Sequence, residues 1–118
     1  TIRLTFYGHA SLSLDVGGLR LLVDPFFSDN PSSSVAPESL AADYILISHG
    51  HHDHVGDALD IAKNTGAMVI SNYEIAEWFG HQGVNNVHAQ HIGGGFKHPF
   101  GYLKLTQALH GSGLPDGS

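Results

Sequence analysis

Cysteine is absent from the 118 residues, which excludes disulfides and thiolate-ligated zinc and suits a reducing, cytoplasmic setting. Basic residues are scarce. Five Lys and Arg stand against eleven Asp and Glu, for a net charge of −6 with histidine neutral. The few that exist are scattered, whereas a nucleic-acid surface calls for a basic stripe, so binding to an extended polyanion is not expected. Long apolar runs are also missing: Tyr44–Ile47 is typical of them, far below the ~20 residues that span a bilayer. The amino terminus is strand-like, without a basic start and an apolar run, so no signal peptide is expected; Thr1 is not an initiator methionine, so residues are expected to be trimmed before it. A chain of this length builds one core, not two. Histidine is the surplus, with ten in the chain.

Hydrophobic patterning predicts strands first and strand–helix alternation afterwards. Ile2, Leu4 and Phe6 alternate with Arg3 and Thr5, and Leu12, Leu14 and Val16 alternate with Ser11, Ser13 and Asp15; each is the period-two signature of a half-buried strand. Gly17-Gly18 reads as a hairpin turn into a third strand, Leu19–Asp24, ended by Pro25. From there to Asp43 the polar, proline-punctuated sequence predicts a long surface loop with one helical turn at Pro37–Leu40. Tyr44–Ser48 has the length of a buried strand. A helix is expected over Ala58–Thr65, capped by Asp57 and stopped by Gly66. Met68–Ser71 reads as a strand, and the Ser71–Glu74 pair as a capping box opening a helix through His81. Val84–Ala89 is weakly strand-like, Gly93–Gly95 is a turn, and Tyr102–Leu109 reads as a strand delivering His110. The alternation places the chain in the α/β class as a single domain.

Between the Tyr44–Ser48 strand and the first helix lies His49-Gly50-His51-His52-Asp53-His54. His49 and His51 are two apart, so on an extended segment their imidazoles point to the same side. Asp53 and His54 follow at once, and Gly50 and Gly56 let the backbone fold around a small volume. Imidazole and carboxylate without thiolate is the donor set of catalytic divalent metals rather than of structural zinc. The plain alternative is a solvated His-rich loop that binds metals adventitiously.

The His-x-His-x-Asp-His pattern, just after a buried strand, resembles the metallo-β-lactamase superfamily. Gly8-His9-Ala10-Ser11, Val23-Asp24-Pro25-Phe26, Ser48–Asp57 and Leu103–Ser112 extend the likeness to a bacterial and archaeal subfamily of metal-dependent hydrolases, over nearly the whole chain. That subfamily is distantly similar to a lactonase acting on phosphorylated ascorbate, although no residue here specifies that substrate. The resemblance implies an α/β fold forming the N-terminal half of an αββα sandwich, a mixed sheet with helices on one face, with residues 1–118 as a single partial domain. It assigns His49, His51 and His110 to one metal, and Asp53 and His54 to a second. Three histidines and an open position already suffice for one catalytic ion. Asp53 is implied as the catalytic carboxylate that orients the attacking water. Asp24 is expected either to support a ligating histidine or to be a strand-ending turn residue. His9 is expected to approach the pocket, and His52 to point away. His81, His88, His91 and His98 lack ligand spacing and read as surface or core residues, and Trp78 and Phe79 as core packing.

Similar proteins continue for about another hundred residues, on the scale of one more small domain. That continuation carries an Asp bridging the metals and a last His ligand. After His110 the only ionisable side chain is Asp116. The expected activity of the intact protein is hydrolysis of a small ester, lactone or phosphoester with one or two divalent ions. Zinc or manganese is favoured, and iron or nickel fits the same donors. The rival reading is a non-catalytic, metal-binding half-domain whose open face is covered by the missing half or by other copies of itself.

Overall fold

The computed structural model describes residues 1–118. Eight strands and three helices form: β1 Ile2–Gly8, β2 Ser11–Val16, β3 Leu19–Val23, β4 Tyr44–Leu46, α1 His52–Val55, α2 Ala58–Thr65, β5 Met68–Asn72, α3 Tyr73–His81, β6 Val87–Gln90, β7 Gly95–His98 and β8 Gly101–Lys104, with a 3-10 turn at Pro37–Ser39. The first six strands make one mixed sheet in chain order. β1, β2 and β3 are antiparallel, joined by tight turns, whereas β3, β4, β5 and β6 run parallel. Parallel neighbours need crossovers, and α2 and α3 supply two of them.

Register divides the sheet into two faces. Leu22, Ile45, Val69 and Val87 align across β3–β6 and pack beneath the helices with Ile61, Ala62, Ile75 and Phe79, forming the core. The opposite face carries the row Leu4, Leu14, Leu21, Tyr44 and Met68. The β7–β8 hairpin covers part of that face, setting Phe100 4.8 Å from Tyr44 and stacking His98 on Phe100. Over β1 nothing covers it: Ile2, Leu4 and Phe6 are 64%, 59% and 65% exposed. The expected alternation is present, but the apolar row of β1 looks away from the helices. Tyr7, on the other row, packs edge-on against Phe27 of the core at 5.3 Å.

Several local expectations are corrected. Pro25, Phe26, Phe27 and Asn30 of the expected surface loop are buried. The Asp57 carboxylate captures the backbone N–H groups of Phe27 (2.8 Å) and Ser28 (2.9 Å), and so does not cap α2. Asn72 rather than Ser71 caps α3, accepting from the Ile75 N–H, because Ser71 is buried and donates to the Ile47 carbonyl. Gly95, expected in the Gly93–Gly95 turn, instead opens the strand Gly95–His98, and the strand expected over Tyr102–Leu109 stops at Lys104, so Leu105–His110 arrives as an irregular segment held by hydrogen bonds between Leu105 and both Gly93 and Gly94.

The Gly/Ser-rich end of the chain, Gly111–Ser118, is docked. The Trp78 indole donates to Asp116 at 2.7 Å; the Ser118 hydroxyl, and after it this indole, draw that carboxyl down to about 2. Leu114 packs on the core cluster.

Phe79 is fully buried at the centre of the core. Phe79→Ala is expected to cost about 3–5 kcal/mol of unfolding free energy, read from urea denaturation curves.

Candidate metal centre

The candidate residues gather at the carboxyl ends of the parallel strands, the usual ligand-binding edge of such sheets. Asp24 follows β3 directly, and His49 leaves β4 through Ser48. His51 then precedes α1, a single turn that was not anticipated from sequence and that carries Asp53 and His54. Gly50 is required at this bend. A Cβ there would lie 2.6 Å from the Ser112 carbonyl oxygen, and its N–H takes the Ser112 hydroxyl as acceptor at 2.9 Å. The contact ties the segment around fifty to the one around one hundred and ten, which brings His110 in.

The rings of His49, His51 and His110 stand at 4.7–5.0 Å from one another and nearly perpendicular, at 76–88°. Their ligand atoms lie within 4.8 Å of each other, so the three could hold one ion. His54 sits on the other side of His49, ring centroids 4.0 Å apart. His54 forms two further candidate groups, one with Asp24 and His49, the other with His9 and Asp53. His52 points away, to Asp29 at 3.0 Å. His81 and His91 are exposed, while His98 is buried against Gln90 and His88 on the far face.

Asp24, 3% exposed, organises the cluster. Its Oδ1 accepts the Ser48 N–H at 2.7 Å, and its Oδ2 accepts the Ser48 hydroxyl at 2.5 Å and His54 Nδ1–H at 2.8 Å. The Ser48 hydroxyl has one proton and gives it to Asp24, so toward His49 Nδ1, 2.9 Å away, it is the acceptor. Both His49 and His54 therefore carry their proton on Nδ1 and leave the Nε2 lone pair bare. His49 Nε2 is buried with no hydrogen-bond partner. A buried, unsatisfied nitrogen is costly in a finished site, and a cation is the partner its lone pair accepts. The donor set fits a divalent metal. Ser48 was not singled out from sequence; its only signal is its place just before His49.

Burial, and then the neighbouring His54, push the His49 imidazole below its ordinary range. A neutral imidazole is the ligating form. For Asp53 burial acts upward, but His54 and the hydrogen bond from His9 outweigh it and hold the carboxyl below its usual range.

His9 and Asp24 are the two non-glycine residues with left-handed backbones, at φ 56° and 44°. Each such residue costs about 1–2 kcal/mol. His9 Nε2 meets Asp53 Oδ2 at 3.0 Å, and Ser11 of the same Gly-His-Ala-Ser turn donates to the Asp24 carbonyl at 2.6 Å. A cavity of about 550 Å³ opens beside the histidines, bordered by His49, His110, Ser48, Ser112, Thr106 and Lys104.

Residues 3–109 match the family model for the Beta-lactamase superfamily domain. The chain belongs to the β-lactamase superfamily. Superfamily relatives include a metal-dependent hydrolase of Heliobacterium modesticaldum, 49% identical over 116 residues that make up 98% of this chain and 48% of that protein. Another, from Flavobacterium johnsoniae, is 46% identical over 118 residues, 99% of this chain and 52% of its own length. A solved metallo hydrolase of the archaeon Ignicoccus hospitalis superposes with a TM-score of 0.85 at 32% identity, covering 99% of this chain and 52% of that one. This superfamily chain thus spans about half the length of the curated relatives it matches. No helix in it is long and apolar enough to cross a membrane.

In the metal-free chain the His49 ring is expected to titrate below the ordinary histidine value of about 6.5. Between that pH and its own lower midpoint the unfolded chain binds more proton than the folded one, so stability declines as the pH falls through this window. An NMR titration of the ring resonances checks this; a midpoint at or above about 6.5 contradicts it.

Proposed function

We propose that the chain is the N-terminal, metal-holding half of a hydrolase that attacks a small ester, lactone or phosphoester with water. The buried, unpartnered His49 Nε2, flanked by His51, His110 and His54, carries this reading. His49, His51 and His110 would hold one divalent ion, and Asp53 and His54 the second, with zinc or manganese the favoured ions among the several that nitrogen and oxygen donors accept. When bound, such ions acidify water and polarise a carbonyl or phosphoryl oxygen. The chain's own part is orientation and proton transfer. Ser48 and Asp24 keep His49 and His54 in one tautomer, and Asp53, held ionised, orients the attacking water and receives its proton.

The test is metal analysis of the full-length protein, followed by turnover on a panel of esters, lactones and phosphodiesters. His51→Ala is expected to lower metal content and turnover by more than the 10–100-fold typical of losing a residue that only supports a ligand. Unchanged turnover in that variant would refute the assignment.

We further propose that the remainder of the longer protein covers the sheet face left open at Ile2, Leu4 and Phe6. The isolated chain then self-associates through these side chains. Light scattering coupled to size exclusion should show oligomers of the 118-residue chain that Leu4→Lys disperses, and a full-length protein that Leu4→Lys destabilises. Oligomers with one metal per chain and no turnover even at full length would favour the second reading, a non-catalytic metal-binding module.

A further inference from the structure

The Gly-His-Ala-Ser turn has no part in the ligand set proposed above, yet it carries one of the two strained non-glycine backbones in the chain. β1 and β2 pair regularly from Ile2↔Val16 to Phe6↔Leu12, and the register then shifts between Phe6 and Gly8. The extra residue is Tyr7, and just beyond it Gly8 pairs with Ser11, so His9 and Ala10 form the two-residue tip of the hairpin. Such bulges commonly re-aim a side chain beside a functional site. Below the turn, the buried Ser11 hydroxyl donates to the Asp24 carbonyl and accepts the Phe26 N–H at 2.9 Å, so the tip is fastened to the segment that also carries the Asp24 carboxylate.

From this anchored tip His9 Nε2 reaches Asp53 Oδ2 at 3.0 Å, across 44 residues of sequence. The other carboxylate oxygen, Oδ1, lies 3.9 Å from His54 Nε2. The two oxygens of Asp53 thus have separate neighbours. One meets a ring nitrogen of His9. The other faces the His54 nitrogen whose lone pair is bare, because His54 Nδ1–H is committed to Asp24. Oδ1 and Nε2 thus border one small volume, where a cation held by both would sit.

We propose that His9 is a positioning residue for the second cation: it donates Nε2–H to Asp53 Oδ2, locking the carboxylate with Oδ1 turned toward His54 Nε2. The inference rests on the metal reading above and concerns only the Asp53–His54 site. His9 is half-exposed, and its ring stands edge-on to Phe26 at 5.7 Å and tilted to His54 at 5.1 Å. Rotation of Asp53 about its last side-chain bond is therefore opposed by one hydrogen bond, which makes the claim testable by two substitutions. In His9→Asn the short amide tolerates the left-handed backbone but falls short of Asp53. In His9→Gln the amide Nε2 stands the same number of bonds from Cα as the imidazole Nε2 and restores the donor.

The full-length protein, stripped of metal, is titrated with Zn²⁺ by calorimetry and with Co²⁺ by visible absorption, beside thermal melts of the metal-free variants. The expected result is an unchanged first equivalent throughout. The second equivalent is weakened about 10–100-fold in His9→Asn, the range for losing a group that orients a ligand, and largely recovered in His9→Gln. The metal-free melts should coincide. A second equivalent in His9→Asn equal to wild type overturns the proposal. Equal loss in both variants also overturns it, because His9 would then be a ligand itself. A wild type that stops at one equivalent overturns the proposal while leaving the first site intact. A wild type that takes up no ion refutes this inference and the functional reading together.

Discussion

A single buried carboxylate holds the centre together. Asp24 receives the Ser48 backbone N–H, the Ser48 hydroxyl and His54 Nδ1–H, and through Ser48 it also settles which nitrogen of His49 carries the proton. Two imidazoles from one short segment are thereby turned with their lone pairs toward the same small volume. An anion buried this deeply is stable only because three donors meet it, and those donors are themselves the framework of the site.

Placing Asp24 and His9 has a conformational cost. Both adopt the left-handed backbone that glycine takes readily and other residues avoid. The surrounding structure sustains this strain through contacts made by their neighbours: Ser11 ties the β1–β2 turn to the Asp24 carbonyl, and Asp57 grips Phe27 and Ser28 just beyond Pro25. Strain that clusters at a candidate site, and is supported from several directions, is the pattern expected where geometry has been kept for chemistry rather than for stability.

The two faces of the sheet tell different stories. Beneath the helices the packing is complete, with Leu22, Ile45, Val69 and Phe79 sealed from water. Across the other face the β7–β8 hairpin partly covers β4 to β6 with an aromatic group of Tyr44, His88, Phe96, His98 and Phe100, and leaves β1 bare. His98 belongs to that packing, which is why its burial, together with His88, lowers its proton affinity without making it part of the metal centre.

The strands β1 to β5 and the helix α2 were legible in the sequence because period-two and helical spacing record which side of an element is wet, and the superfamily, with the mixed sheet it implies, was legible through the resemblance carried by the His-x-His-x-Asp-His segment. The β7 strand, the early end of β8 and the one-turn helix α1 were not, since Gly93–Gly95 and the His-rich segment carry little apolar periodicity and their conformation is set by partners far along the chain. The same division applies at the centre. Sequence by itself determined the donor types and the clustering of four of them between His49 and His54. The resemblance already assigned His110 to the ion of His49 and His51; the tertiary structure alone gave the spacing of the three rings, the choice of tautomers by Ser48 and Asp24, and the contact of His9 with Asp53. Those relations are distances between residues tens of positions apart, and no local pattern encodes a distance that chain folding alone creates.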